Sequence, residues 1–171
     1  MSITIHAPAS KSVSHRAVIA AAMAPGQSLV TNVLDSEDLH CTITCLQALG
    51  AGINMPSQGT LAVRGMDPRS AKTEEIIGLD VGESGTTCRL IAPVAALGQR
   101  PCRIFGRGRM HQRPIQELTR ALETQGCTTD FEDLPGCPPC VLTPRGLSGG
   151  QVDITLEQSS QYLSGLLLAA P

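Results

Sequence analysis

A chain of 171 residues with 42% hydrophobic and 16% charged residues is long enough for a sizeable core and too apolar to be disordered. Aromatic residues make up only 2%, with no Trp, so Leu, Ile, Val and Ala must fill that core. The formal net charge of −2 gives no global basic field for nucleic acid. No N-terminal apolar h-region and no apolar run of about 18 residues is present, so a cytoplasmic protein without membrane contact is expected.

The elements alternate. Residues 3–6 read as a short strand. Residues 12–24 read as a helix stopped by Pro25-Gly26, and 28–33 as a strand. Residues 36–49 form a helix with Ser36 as N-cap, Glu37 and Asp38 in its first turn and Gly50 at its end. Strands 51–55 and 60–64 follow, joined by a turn at Pro56-Ser57-Gln58-Gly59. The same order then returns: strand 79–82, helix 85–97, strand 101–105, helix 114–125, strand 127–131 and strand 140–143. A third round opens with strand 151–156 and helix 160–170.

Letters repeat with the elements. Arg16-Ala17-Val18-Ile19-Ala20 parallels Arg89-Leu90-Ile91-Ala92, and Leu46-Gln47-Ala48-Leu49-Gly50 parallels Leu122-Glu123-Thr124-Gln125-Gly126. The unit is βαβαββ with a period of about 70 residues. One such unit cannot bury its own faces, so the copies must pack together. The first helix of each round is nearly apolar after its first turn and is expected inside; the second helices carry more polar residues and are expected outside. The chain stops on an apolar run, Gly165 to Pro171, with no polar cap. That predicts either a covering partner or a longer natural protein.

The first-helix starts carry the chemistry. They read Ala9-Ser10-Lys11-Ser12, Gly82-Glu83-Ser84-Gly85-Thr86 and Gln158-Ser159-Ser160-Gln161. Free N–H groups, the positive end of the helix dipole and added hydroxyls make each a candidate anion site, with ordinary N-capping as the plainer role. Lys11 and Arg16 add charge to the first. Of the 13 basic residues, eleven are Arg, whose planar fork suits carboxylate and phosphate. The most cationic stretch is Gly106 to Ile115. There Pro114 suits a first helical position and puts Arg113 at the helix entrance, where it could clamp an anion.

The other reactive residues carry less. Seven Cys is an odd count without an export signal, which predicts free thiols. Cys137-Pro138-Pro139-Cys140 has CxxC spacing, but it precedes a strand and has no second ligand pair. Cys41 and Cys45, with His40 nearby, also lack one. No metal or cofactor is expected. His15, in the first turn beside Arg16, reads as local support rather than a base.

Four ordered segments resemble the signatures of the 5-enolpyruvylshikimate-3-phosphate synthases. They are Pro8 to Arg16, Gly82 to Arg89, Arg109 to Ile115, and Ser159 to Leu167. The Lys-Ser-x-x-x-Arg pattern at Lys11, Ser12 and Arg16 is closer to this family than to the related UDP-N-acetylglucosamine enolpyruvyl transferases. Some letters depart from the usual pattern: Ala9 for Gly, Glu83-Ser84 for Asn-Ala, Leu90 for Pro and Gln112 for Glu.

The resemblance implies an α/β fold of repeated βαβαββ units packed around buried helices, an inside-out α/β barrel. It implies an incomplete N-terminal portion with units at 3–65 and 79–143, the start of a third at 151–171, and a second domain absent from this chain. It also implies transfer of the enolpyruvyl group of phosphoenolpyruvate to shikimate 3-phosphate, in a monomer completed by the missing C-terminal portion. Lys11, Ser12, Arg16, Ser159, Ser160 and Gln161 would hold shikimate 3-phosphate. Lys11, Gly85, Arg113 and Gln161 would hold phosphoenolpyruvate, with Lys11 catalytic. The acids and bases of the transfer would come from the missing half, and Glu83, the nearest acid, reads as structural. The alternative is a stand-alone phosphate-binding module or inactive paralogue.

Overall fold

The computed structural model describes residues 8–70 and 75–170. The strand expected at 3–6 lies outside the described residues. Helix α1 (Lys11–Met23) is capped by Ser10, whose hydroxyl accepts from the Val13 N–H at 3.4 Å. Strand β1 (Gln27–Thr31) ends two residues earlier than expected, because Asn32 adopts φ 56° and turns the chain away. Helix α2 (Glu37–Ala48) starts at its Ser36 cap and carries Glu37 and Asp38 in the first turn. β2 (Gly52–Ser57) and β3 (Thr60–Arg64) then form an antiparallel pair, with an irregularity between Asn54 and Ser57 where Pro56 lacks a ladder donor. The first sheet runs β1-β3-β2, all antiparallel.

The second sheet is separate. β4 (Ile77–Asp80) leads through α3 (Gly85–Ala96) to β5 (Cys102–Phe105), which lies parallel to it. A short 3-10 turn (Gly108–Gln112) and α4 (Gln116–Glu123) follow. Then come β6 (Thr128–Phe131) and β7 (Cys140–Thr143), which close an otherwise antiparallel sheet of order β4-β5-β7-β6. α5 (Gln161–Ala169) is the last element. Two sheets with helices between them exclude one continuous doubly wound sheet.

The core centres on α3, which is buried almost all round. Leu79, Leu90, Ile91, Ile104 and Leu142 are each at most 1% exposed. Side chains of this kind contribute about 1.5–3 kcal/mol each on burial. α5 packs closely along α3, and α1 touches both. The contact with α5 uses a break in the α3 ladder. Pro93 has no N–H to give the Arg89 carbonyl. Gly165 of α5 sits over that oxygen, so close that an added Cβ would lie 2.4 Å from it. Helix α2 shows one buried face, with Leu39, Thr42, Ile43, Cys45 and Leu46. α4 is similarly one-sided, burying Leu118, Thr119, Ala121 and Leu122, as expected of outer helices.

Three expectations change. Residues 151–156 form no strand: they alternate in exposure from 151 to 155 but pair with no described strand. The equivalent strand β4 is held by its parallel pairing with β5, and no described strand pairs with 151–156 in that way. Helix α4 begins at Gln116 rather than Pro114, because Ile115 holds φ −131° and gives its N–H to the Gly136 carbonyl at 2.8 Å. Among the described first helices, α3 alone is buried on nearly all sides: α1 exposes Val13 and Ala20, and α5 exposes Leu163 and Leu167.

Candidate functional site

The starts of α1, α3 and α5 lie on one connected face, tied together by side chains. The clearest junction is at Gly85, the first residue of α3. A Cβ there would lie 2.9 Å from Arg113 Nη1 and 3.2 Å from Arg89 Nη1. A side chain at this position would push aside the tips of the two guanidinium groups that now sit against the helix start. Arg113 Nη1 donates to the Glu83 carbonyl at 2.9 Å, just before the Ser84 cap. Arg113 itself follows the 3-10 turn instead of opening α4. That turn is drawn to the α3 start by the Arg107 N–H, which donates to the Gly82 carbonyl at 3.0 Å.

Arg89 reaches from α3 to α5. Its Nη1 donates to Gln161 Oε1 at 3.2 Å, and its guanidinium carbon lies 5.5 Å from the centre of the Tyr162 ring. Gln161 returns the contact, its Nε2 donating to Thr86 Oγ1 at 2.9 Å. Tyr162, fully buried, donates its hydroxyl to the Pro114 carbonyl at 2.8 Å. Burial raises its phenol pKa above the usual value, keeping it a donor.

Arg16 joins α1 to α5. Nη1 donates to the Ser12 carbonyl at 3.0 Å and Nη2 to Ser164 Oγ at 3.0 Å. Ser159 Oγ accepts from the Gln161 N–H at 3.1 Å, while Ser12 and Ser160 are exposed. Lys11 is held by none of these. Its ammonium is paired with the carboxylate of Asp38 in the first turn of α2. Both side chains are partly exposed, so the pair adds little stability, but it fixes where the ammonium stands.

Of the expected residues, direct contact joins Ser12 to Arg16, Gly85 to Arg113, and Ser159 to Gln161. Lys11 and Ser160 reach the group only through their helices. The sequence reading did not single out Arg89, Tyr162, Ser164 or Asp38 as parts of this face, though Thr86 lay in one of its candidate helix starts. For Arg89 a signal existed: it stands one helical turn beyond Gly85, hence on the same side. Among the described residues, Arg16, Arg89 and Arg113 have no carboxylate partner, and each instead points a guanidinium N–H at a backbone or side-chain oxygen of the helix starts. Three oriented guanidinium groups without a carboxylate partner, beside the starts of α1, α3 and α5, make a surface complementary to phosphate and carboxylate.

His15 lies under this face, fully buried, and is not a ligand-facing base. Its Nδ1 is 2.8 Å from Thr42 Oγ1. Thr42 Oγ1 is in turn 2.8 Å from Thr87 Oγ1, which is 2.8 Å from Ser84 Oγ. His15 Nε2 is buried without a partner. An unpaired lone pair costs less there than an unpaired N–H, so the proton belongs on Nδ1, donating to Thr42. Burial, with Lys11 and Arg16 nearby and against the attraction of Asp38, lowers the His15 pKa from 6.5 to about 4.

All seven cysteines are free thiols, and six of them, Cys137 and Cys140 included, are buried. Among the described residues no group of three or more His, Cys, Asp or Glu is placed to hold a metal ion. No described helix is long and apolar enough to cross a membrane.

Comparison with known proteins matches residues 1–171 to the model of the EPSP synthase (3-phosphoshikimate 1-carboxyvinyltransferase) family. A 3-phosphoshikimate 1-carboxyvinyltransferase of Aliivibrio salmonicida is 38% identical over 168 residues, which is 98% of this chain and 39% of that protein. One from Methanosphaerula palustris is 42% identical over 167 residues, covering 96% of this chain and 39% of the relative. The solved EPSP synthase of Acinetobacter baumannii superposes with a TM-score of 0.83 at 30% identity, covering 95% of this chain and 36% of that one. The chain thus spans about two fifths of the length of these relatives.

Proposed function

The chain belongs to the EPSP synthase family, and from that membership we propose that it supplies one wall of a cleft for enolpyruvyl transfer. In that reaction the 5-hydroxyl of shikimate 3-phosphate attacks phosphoenolpyruvate, a proton is added to the methylene and later removed, and phosphate leaves. The observation that carries the reading is the set of guanidinium groups of Arg16, Arg89 and Arg113, each without a carboxylate partner among the described residues, gathered around the starts of α1, α3 and α5. Both substrates are highly anionic, and their charges must be offset before the reacting atoms meet.

Within this reading Ser12, Arg16, Ser159, Ser160 and Gln161 hold shikimate 3-phosphate. Gly85 and Arg113 take phosphoenolpyruvate, with Gln161 touching both ligands. Lys11 stands between the substrates and stabilises charge that develops during transfer. The transfer also needs an acid and a base. Asp38 is occupied by Lys11, and Glu83 is exposed beyond the α3 cap. The proton-transfer groups therefore come from the portion of the protein outside this chain, which also closes the cleft against water.

The test is an assay of phosphate release from phosphoenolpyruvate with shikimate 3-phosphate, on the 171-residue chain alone and after adding the remaining portion. The expected result is no turnover alone and turnover on complementation, lost again with Lys11→Ala. Turnover by the chain alone, abolished by Lys11→Ala, would show that the acids lie in this half. Binding of shikimate 3-phosphate without turnover on complementation would support the phosphate-binding module instead.

A further inference from the structure

The carbonyl oxygen of Asp38 stands where the buried hydroxyl chain meets the candidate site. It accepts from Thr87 Oγ1 at 3.0 Å and lies 3.3 Å from Thr42 Oγ1. The same residue's carboxylate, on the outer side, holds Lys11. Thr87 belongs to α3 and Thr42 to α2, while His15, behind Thr42, belongs to α1. Three helices that carry or flank the candidate site thus meet through one set of buried polar groups: His15 and Thr87 are fully buried, and Ser84 is 1% exposed.

We propose that Thr87, backed by Thr42 and His15, is a positioning residue for Lys11. By holding the Asp38 carbonyl it fixes the first turn of α2 against α3, and so aims the Asp38 carboxylate at the Lys11 ammonium. Thr87 touches no ligand in this scheme. A valine in its place keeps the shape and removes the only strong donor that α3 offers to that carbonyl. The α2 turn is then free to shift, and the ammonium moves with it. The inference rests on the proposed function only for the effect on substrate, so its test has one arm that needs no substrate.

That arm uses NMR of the lysine side-chain ammonium groups, which is uncrowded because the chain has only two lysines, Lys11 and Lys72. Asp38→Asn marks the signal of a released Lys11. Thr87→Val is expected to move the Lys11 signal in the same direction, and Thr87→Ser, which keeps the hydroxyl, to leave it at the wild-type position. Thr87→Ala repeats the test should Thr87→Val not fold.

The second arm measures shikimate 3-phosphate affinity by calorimetry in the full-length protein. Loss of one hydrogen bond's worth of positioning predicts about three- to tenfold weaker binding in Thr87→Val, with rescue by Thr87→Ser. In a Lys11→Ala background the same change should cost less than about twofold, because the two residues act through one interaction. A Lys11 signal unmoved by Thr87→Val overturns the proposal, as does an equal loss of affinity in both backgrounds. If the signal moves as stated but Lys11→Ala leaves affinity unchanged, the positioning stands and the assignment of Lys11 to the substrate cleft falls.

Discussion

The buried His15 makes the stability of this chain depend on pH in a defined window. In the folded protein its pKa is lowered from 6.5 to about 4, chiefly by burial. The unfolded chain therefore takes up this proton more readily than the folded one between those values. The stabilisation is complete above pH 6.5, is lost progressively as the pH falls, and is gone below about 4. The gap between 6.5 and about 4 is worth about 3 kcal/mol at 1.36 kcal/mol per unit. Carboxylates also titrate in this range, so a difference measurement isolates His15. His15→Gln keeps a donor for Thr42 and carries no charge at any of these pH values. Urea unfolding of wild type and His15→Gln at pH 7, 6, 5 and 4 should show the wild type losing about 3 kcal/mol relative to the variant across the series. A difference that stays flat from pH 7 to 4 would refute a neutral, buried His15. A difference that grows in the opposite sense would mean that Asp38 outweighs desolvation.

Gly85→Ala should force Arg113 off the Glu83 carbonyl, given the 2.9 Å approach to its Nη1. Displacing the Arg113 guanidinium from the position that this bond holds should weaken phosphoenolpyruvate binding in the full-length protein by about two- to tenfold, one hydrogen bond's worth of positioning, read by calorimetry. Gly165→Ala pits a helix-propensity gain of about 1 kcal/mol against a clash with backbone oxygen that α3 cannot move aside. Overpacking of about 1–3 kcal/mol should win or at least cancel it, so urea unfolding should show no gain in stability. Thiol labelling of the folded chain should modify Cys41 first, because the other six cysteines are buried and burial raises the pKa of every one of the seven. Mass spectrometry after brief exposure to iodoacetamide checks the order.

Local physics alone determined much of this protein. The Ser36 cap with Glu37 and Asp38 behind it, the Gly59 turn between two alternating strands, and the apolar run after Gly85 each specify an element within a few residues, and α2, β2-β3 and α3 form there. The anion-seeking character of the helix starts was legible for the same reason, since capping residues and nearby cations are neighbours in sequence. What tertiary structure decided lies where a distant partner outweighs local preference. Pro114 is well suited to begin a helix, yet the Gly136 carbonyl takes the next N–H and delays α4. Residues 151–156 have the alternation of a strand, yet a strand exists only when another supplies its hydrogen bonds. His15 read as local support rather than a base, and its burial was decided by tertiary structure, because Thr42 and Thr87, from two other helices, receive it. Arg89, Thr86 and Gln161 become one cluster for a related reason. Pro93 and Gly165 let α3 and α5 approach at the backbone, and no spacing along the chain encodes that approach.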